Sequence, residues 1–196
     1  EVIDIVSHLN QGIRFIKDPD GKAKLARLNL LAGKHAKAAT ESAAAHAYFR
    51  VGMSLLDEES WSAQYALTFE LLKERAEAEY VSGNFEYAEE LFAKLLEHAQ
   101  TAIEKADVYK GVIALYSLRT QYKDAIQAAR VALKGLGVDL PDEDLGKTFE
   151  LEWVDIESAL EDHEISALIA FPDMDDPEKQ VAMQILDSII ATTFQA

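Results

Sequence analysis

The chain has 196 residues, of which 49% are hydrophobic and 28% charged, and its net charge is −16 at pH 7. The absence of cysteine excludes disulfide bonds, thiolate metal ligands and cysteine nucleophiles. No apolar run reaches the roughly 20 residues that span a bilayer, so we expect a cytoplasmic protein, and the acidic surplus disfavours nucleic acid and anionic membranes as partners.

Apolar residues recur at three- and four-residue spacing along most of the chain, which predicts an all-α fold. The first apolar stripe, Val2 to Ile16, is followed by a turn-forming sequence at 18–21. Gly83 has the character of a helix C-cap, and Thr101 with Glu104 has the spacing of a capping box. The predicted helices cover approximately residues 2–16, 22–32, 36–56, 61–82, 85–99, 102–119, 122–134, 145–160 and 164–170, with a last one beginning near 176.

Three of the predicted turns share a pattern in which an alanine follows the turn by five residues. The pairs are Gly33 and Ala38, Gly83 and Ala88, and Thr120 and Ala125. An alanine at that place lets two helix backbones approach closely, and a hairpin with one uncovered face must stack on its neighbour. The pattern predicts a right-handed stack of antiparallel helix hairpins.

These units resemble the tetratricopeptide repeat. Ala88 and Phe92 match the alanine and the aromatic residue of that motif's second helix, and Ala76 matches the small residue of its first helix. The resemblance has two departures: Ala129 replaces the aromatic residue in the third unit, and the first two turns are 50 residues apart instead of about 34. It implies a tetratricopeptide-like superhelical stack.

Charge divides the chain into two regions. Residues 1–140 carry 20 acidic and 17 basic side chains, whereas residues 141–196 carry 15 acidic and 2 basic ones. We expect 1–140 to form the helical repeats and 141–196 to form an acidic C-terminal helical cap of the same array, because terminal repeats need a polar outer face. The acidic surface is more easily explained by solvation than by docking of a basic partner.

Several segments also resemble the helical region of large bacterial multi-domain signalling kinases. They are Asp4–Asn10, Leu28–Lys37, Gly52–Leu56, Trp61, Leu67–Leu71, Glu77–Tyr80 and Phe171–Pro177. In that family a serine/threonine kinase domain precedes a STAND-type ATPase, the helical region, a GAF domain and a histidine kinase. The resemblance implies that the chain is a linker or sensor array of such a kinase, and none of the family's catalytic motifs is in the sequence.

Candidate chemical motifs are weak. Gly146-Lys147-Thr148 imitates the end of a phosphate-binding loop, but Pro141 stands where the pattern needs glycine. The five histidines, His8, His35, His46, His98 and His163, lack metal-ligand spacing, and acidic pairs such as Glu161-Asp162 and Asp175-Asp176 favour solvated surface. The sequence therefore predicts no catalytic, cofactor-binding or metal-binding residue.

Two tryptophans and four tyrosines could line a groove, although packing between hairpins is the simpler use. They are Trp61, Trp153, Tyr65, Tyr80, Tyr109 and Tyr116. The leading hypothesis is a non-catalytic protein-interaction and signal-relay module in a sensor kinase, with neighbouring domains or a peptide as partners. The alternative is a stand-alone tetratricopeptide adaptor that binds a peptide in its concave groove, and an enzyme is the third possibility.

Overall fold

The structure of the protein, a computed structural model, describes residues 2–141, 145–160 and 173–193. Every regular element among these residues is helical, which confirms the predicted all-α class. The α-helices are α1 (Val2–Gln11), α2 (Pro19–Ala38), α3 (Ser42–Ser54), α4 (Ser60–Ala63), α5 (Tyr65–Val81), α6 (Phe85–His98), α7 (Ala102–Leu118), α8 (Tyr122–Gly135), α9 (Leu145–Leu160) and α10 (Pro177–Thr193), with a 3-10 turn at Ile13–Phe15.

Three helical hairpins, α2 with α3, α5 with α6 and α7 with α8, are closed by turns of the same geometry. One residue in each turn has a left-handed backbone, with φ of 61° at Thr40, 86° at Gly83 and 58° at Thr120. The following amide donates a 2.9 Å hydrogen bond to the carbonyl five residues earlier: Glu41 to Ala36, Asn84 to Glu79 and Gln121 to Tyr116. These are Schellman turns, so the predicted hairpins are present and share one closing device.

The first turn does not lie at Gly33, where the sequence pattern placed it. Gly33 is buried inside α2, which is continuous to Ala38. A β-carbon at Gly33 would lie 2.3 Å from the ring of Phe49 on α3, so the glycine permits close packing of two helices. The turn itself is at Thr40. The alanine five residues after it is Ala45, which is 3% exposed. The first two turns are therefore 43 residues apart, not 50.

Two helix boundaries also differ from prediction. The sequence at 18–21 begins α2, because the Asp18 carboxylate accepts a 2.6 Å hydrogen bond from the amide of Gly21 and Pro19 occupies the first turn. The helix predicted over 61–82 is divided at Gln64, whose φ of −138° separates α4 from α5.

The capping box at Thr101 is confirmed. Its hydroxyl accepts a 3.1 Å hydrogen bond from the Glu104 amide, and the Glu104 carboxylate accepts one of 3.2 Å from the Thr101 amide. Gly83 terminates its hairpin's first helix as predicted. The short helix predicted near 164–170, and the acidic pair and histidine at 161–163, lie outside the described residues.

The hairpins stack through consecutive helices. Helix α3 packs on α5, and α6 packs on α7, while the first helices of successive hairpins, α2, α5 and α7, contact one another in order. Helix α10 packs on both α7 and α8 and buries Ala182, Ile185 and Ile189 in their core. Among the described residues, none of the helices is both long and apolar enough to cross a membrane. The superhelical sense of the stack and the domain boundary at 140/141 stay predictions.

Candidate functional site

The residues weighed as chemical motifs are distributed without forming a common site. Gly146, Lys147 and Thr148 lie in the first turns of α9, in helical backbone. The Asp176 carboxylate accepts a 3.0 Å hydrogen bond from the Glu178 amide and so caps α10. The His98 ring stacks on Trp61 with centroids 3.9 Å apart. In the part of the chain that the structure describes, no group of three or more histidine, aspartate or glutamate side chains could hold a metal ion.

The aromatic residues separate into two sets. Trp61, Tyr65 and Tyr80 pack against the core that α5, α6 and α7 share. Tyr109 and Tyr116 pack against the third hairpin and also line a surface cleft, while Trp153 is 51% exposed on α9. Core packing therefore accounts for the first set, while Tyr109 and Tyr116 also contribute to a groove.

The first helices of the hairpins are joined by a row of ion pairs, which we call the first-helix ladder. Its members are Lys34, Lys37, Glu70, Lys73, Glu74, Glu77, Asp107 and Lys110. Between α2 and α5, Lys37 Nζ lies 2.8 Å from Glu74 and 2.6 Å from Glu77. Between α5 and α7, Lys73 Nζ lies 2.6 Å from Asp107. Lys110 continues the row by donating a 2.8 Å hydrogen bond to Gln184 on α10.

The ladder contains four bases and four acids, so these charged groups neutralise one another across the helices. Burial disfavours the charge on Lys37, but its bonds to Glu74 and Glu77 outweigh that effect and raise its pKa above the ordinary value. Burial likewise opposes ionisation of Asp107, yet Lys73 and Lys110 together lower its pKa. The first-helix face is therefore a row of internally satisfied charges.

The place where α3, α5 and α6 meet, the first junction, is filled by a buried polar network. Its centre is the Glu79 carboxylate, which is 3% exposed. His46 Nε2 lies 2.9 Å from it, Arg75 Nε donates to it over 3.2 Å and Asn84 Nδ2 donates over 2.7 Å. The Arg75 guanidinium also lies 5.4 Å over the ring of Tyr87. These contacts tie both hairpins to one carboxylate.

Ionisation of Glu79 is maintained by its partners. Burial favours the neutral acid, but the close contact with His46 and the hydrogen bonds from Asn84 and Arg75 lower the pKa of Glu79 below its ordinary value. The first junction therefore contains a buried carboxylate that stays charged at neutral pH.

The corresponding place between α6, α7 and α8, the second junction, is an open cleft of about 340 Å³. The three turns align the hairpins with offsets of 43 and 37 residues, which allows the two junctions to be compared position by position. In the second junction Glu89 replaces His46, Ala93 replaces Arg50, Val112 replaces Arg75, Tyr116 replaces Glu79, Asp124 replaces Tyr87 and Ala128 replaces Leu91. Several long side chains are thus exchanged for short ones, and the two cationic partners of Glu79, His46 and Arg75, are replaced by Glu89 and Val112.

The cleft is apolar inside and acidic at its edge. Val112 and Tyr116 of α7 lie between Phe92 of α6 and Ala128 of α8, and the carboxylates are Glu89 and Asp124. Burial and these two carboxylates raise the pKa of the Tyr116 phenol. The nearby Arg119 guanidinium lowers the pKa of the same phenol and so acts against the two carboxylates.

One of the two carboxylates is compensated within the chain. Arg119 Nη1 donates a 2.7 Å hydrogen bond to Glu89, and its guanidinium lies 5.6 Å over the ring of Phe85. Asp124 has no ion pair among the residues that the structure describes.

The sequence analysis did not identify this cleft. It aligned the second and third turns at the correct offset of 37 residues, but it placed the first turn seven residues too early. With Thr40 as the first turn, Arg75 aligns with Val112, and the loss of a cation from one junction to the next becomes visible in the sequence. The correct register was the missing signal.

Comparisons with known proteins point to a signalling context. No protein-family model matches the chain, and no solved structure matches it. Over 148 residues, 71% of the chain, it is 28% identical to the hybrid signal transduction histidine kinase G of Dictyostelium discoideum. The chain spans 4% of the length of that relative. The match supports the histidine-kinase part of the resemblance, whereas the tetratricopeptide, serine/threonine kinase and ATPase parts stay predictions.

Proposed function

We propose that this chain is a non-catalytic helical module that relays conformational signals within a larger cytoplasmic sensor kinase. The observation that carries the proposal is the match to a signal transduction histidine kinase of which the chain spans only 4%. A segment of that size in a long signalling protein suits a connecting array better than a separate enzyme. Its partners would be neighbouring domains of the same polypeptide or another protein.

The packing of the helices suggests how such a relay would work. Schellman turns define each hairpin, and ion pairs together with glycine contacts define how one hairpin sits on the next. We infer a tetratricopeptide-like superhelical stack, whose curvature depends on these contacts between hairpins. A neighbouring domain that displaced one hairpin would shift the others, because repeat arrays transmit contacts from neighbour to neighbour.

The alternative, a stand-alone adaptor that captures a peptide along the first helices, has less support. That face presents the ladder, in which lysines and carboxylates already pair with one another. A peptide bound there would have to replace these pairs.

A glycine substitution tests the relay. A β-carbon at Gly111 of α7 would lie 2.5 Å from the Phe92 ring of α6, so Gly111→Ala should change the angle between the second and third hairpins. In the parent kinase we expect histidine autophosphorylation, followed with labelled ATP, to change at least about twofold. Gly135→Ala is the matched control, since nothing lies within 4 Å of its β-carbon.

The isolated chain supplies the second half of the test. Incubated with Mg-ATP, it should neither hydrolyse ATP nor transfer phosphate to itself. ATP turnover by the isolated chain would contradict the non-catalytic assignment. Equal autophosphorylation of the Gly111→Ala and Gly135→Ala kinases would contradict the relay, as would a parent gene without kinase domains.

A further inference from the structure

The two junctions are formed by equivalent helices, but a polar network fills the first and the second is an open cleft. In the first junction an arginine, Arg75, reaches from the middle helix to lie over an aromatic ring and pair with a buried carboxylate. In the second junction the equivalent position is Val112, and a cleft of about 340 Å³ remains where the long side chains would be. A ring and a carboxylate are present there with their positions exchanged, since Tyr116 stands at the position of Glu79 and Asp124 at that of Tyr87. What the second junction lacks is a cation at the position of Arg75, because its own arginine, Arg119, lies over Phe85 and pairs with Glu89.

We propose that the second junction is a docking site for an arginine side chain, flanked by apolar residues, from a partner protein segment. The guanidinium would pair with Asp124 and lie against the Tyr116 ring, while its apolar neighbours would fill the space beside Val112 and Ala128. The inference rests on the proposed function only in naming a protein as the partner. It names the chemistry that the partner must present.

Three features favour arginine as the occupant. The cleft walls are apolar, and a guanidinium is more weakly hydrated than an ammonium group, so it loses less on entering. A planar guanidinium can stack on a tyrosine ring and donate to a carboxylate simultaneously, as Arg75 does in the first junction. The cleft also has the volume of small binding sites in proteins, which begin at about 300 Å³.

Charge complementarity excludes much of this chain as the occupant. The C-terminal region carries 15 acidic and 2 basic side chains, so its segments would bring like charge to Asp124 and Glu89. An arginine-bearing partner is attracted by the same carboxylates and by the net charge of −16.

A pair of peptides that differ in one charge tests the proposal. The probe is the N-acetylated, C-amidated pentapeptide Ala-Leu-Arg-Leu-Ala, and its control carries citrulline, which keeps the shape of arginine without the charge. We expect the arginine peptide to shift amide resonances of α6, α7 and α8 in a ¹H–¹⁵N titration and to bind at least about fivefold more tightly than the citrulline peptide. Equal binding of the two, or shifts centred on the first-helix ladder, would overturn the proposal.

Variants of the protein locate the site. Asp124→Asn should reduce affinity for the arginine peptide to that of the citrulline peptide, whereas Glu90→Gln, an exposed position on α6, should leave it unchanged. Val112→Arg restores the arginine of the first junction, so it should raise the melting temperature and abolish binding. If Val112→Arg fails to fold, the Asp124→Asn comparison alone decides the matter.

The oligomeric state supplies an independent outcome. If a second copy of the chain covers the cleft instead, the protein should sediment as a dimer and Ala128→Leu should make it monomeric, which would overturn the arginine assignment. Peptide binding by the isolated chain is measured without any kinase. Loss of binding would therefore reject the docking site alone, and an unresponsive kinase would reject the relay alone.

Discussion

At the scale of single residues, the buried Glu79 carboxylate joins three parts of the chain. It accepts from Arg75 of its own helix and Asn84 of the following turn, and it lies 2.9 Å from His46 of the preceding hairpin. Glu79→Gln keeps the shape of the side chain but removes the charge that these donors need. We expect it to lower the free energy of unfolding by about 2 kcal/mol, measured by urea denaturation at pH 7.

The same substitution has a defined pH dependence. Because the folded-state pKa of Glu79 is lowered, its contribution is fully present above the unfolded-state pKa, near 4.3, and is lost as the pH falls through the folded-state value. The stability difference between wild type and Glu79→Gln should therefore be constant near neutrality and decrease below about pH 4. Glu90→Gln, on an exposed position, should cost little at either pH. A difference that grows on acidification would contradict the buried ion pair.

Glycine residues show where sequence reasoning about single positions was insufficient. A glycine serves either a left-handed turn or a close approach of two helices, and the chain uses both. Gly83 has φ of 86° and terminates a helix, as predicted. Gly33 is helical and lies under Phe49, a residue 16 positions away whose contact could not be read from local sequence. The turn at Gly83 was therefore predictable, whereas the turn at Thr40 and the packing role of Gly33 were not.

At the scale of elements, the three Schellman turns differ in the residue that takes the left-handed position. Gly83 adopts the left-handed backbone without steric cost, but Thr40 and Thr120 adopt it with a β-branched side chain. Thr120→Gly should therefore stabilise the protein by about 0.5–1 kcal/mol, because relief of the left-handed strain exceeds the added chain entropy of glycine. The measurement is the urea midpoint at constant slope, and Thr40→Gly should behave alike.

A threonine in another environment provides the control. Thr101 is the N-cap of α7, so Thr101→Ala should destabilise the protein by about 1 kcal/mol. If Thr120→Gly raises the free energy of unfolding and Thr101→Ala lowers it, the backbone geometry at each threonine decides the effect. Destabilisation by Thr120→Gly would indicate that the turn is not left-handed in solution. The cap at Thr101 was predictable because its two partners are three residues apart, whereas the strain at Thr120 was visible only in the backbone angles.

At the scale of the whole molecule, α10 has the position that the first helix of a further hairpin would take. It packs on α7 and α8, and its Ile185 is fully buried in their shared core. The helix itself was predictable from Pro177 and its apolar spacing. Its packing partners were not, because residues 136–176 separate it from α8 in sequence and sequence periodicity does not specify which helices meet.

The position of α10 leads to a prediction about the order of unfolding. Ile185→Ala should cost about 3 kcal/mol, and Met183→Ala, on the exposed side of the same helix, should cost less than about 0.5 kcal/mol. In a stacked array each helix is stabilised mainly by its immediate neighbours. The loss of stability should therefore appear first in α7, α8 and α10. Amide exchange should accelerate there at denaturant concentrations that leave α2 and α3 protected. Uniform acceleration of amide exchange would instead mean that the hairpins unfold as one unit. Such a unit would transmit a displacement along its whole length rather than from one junction to the next.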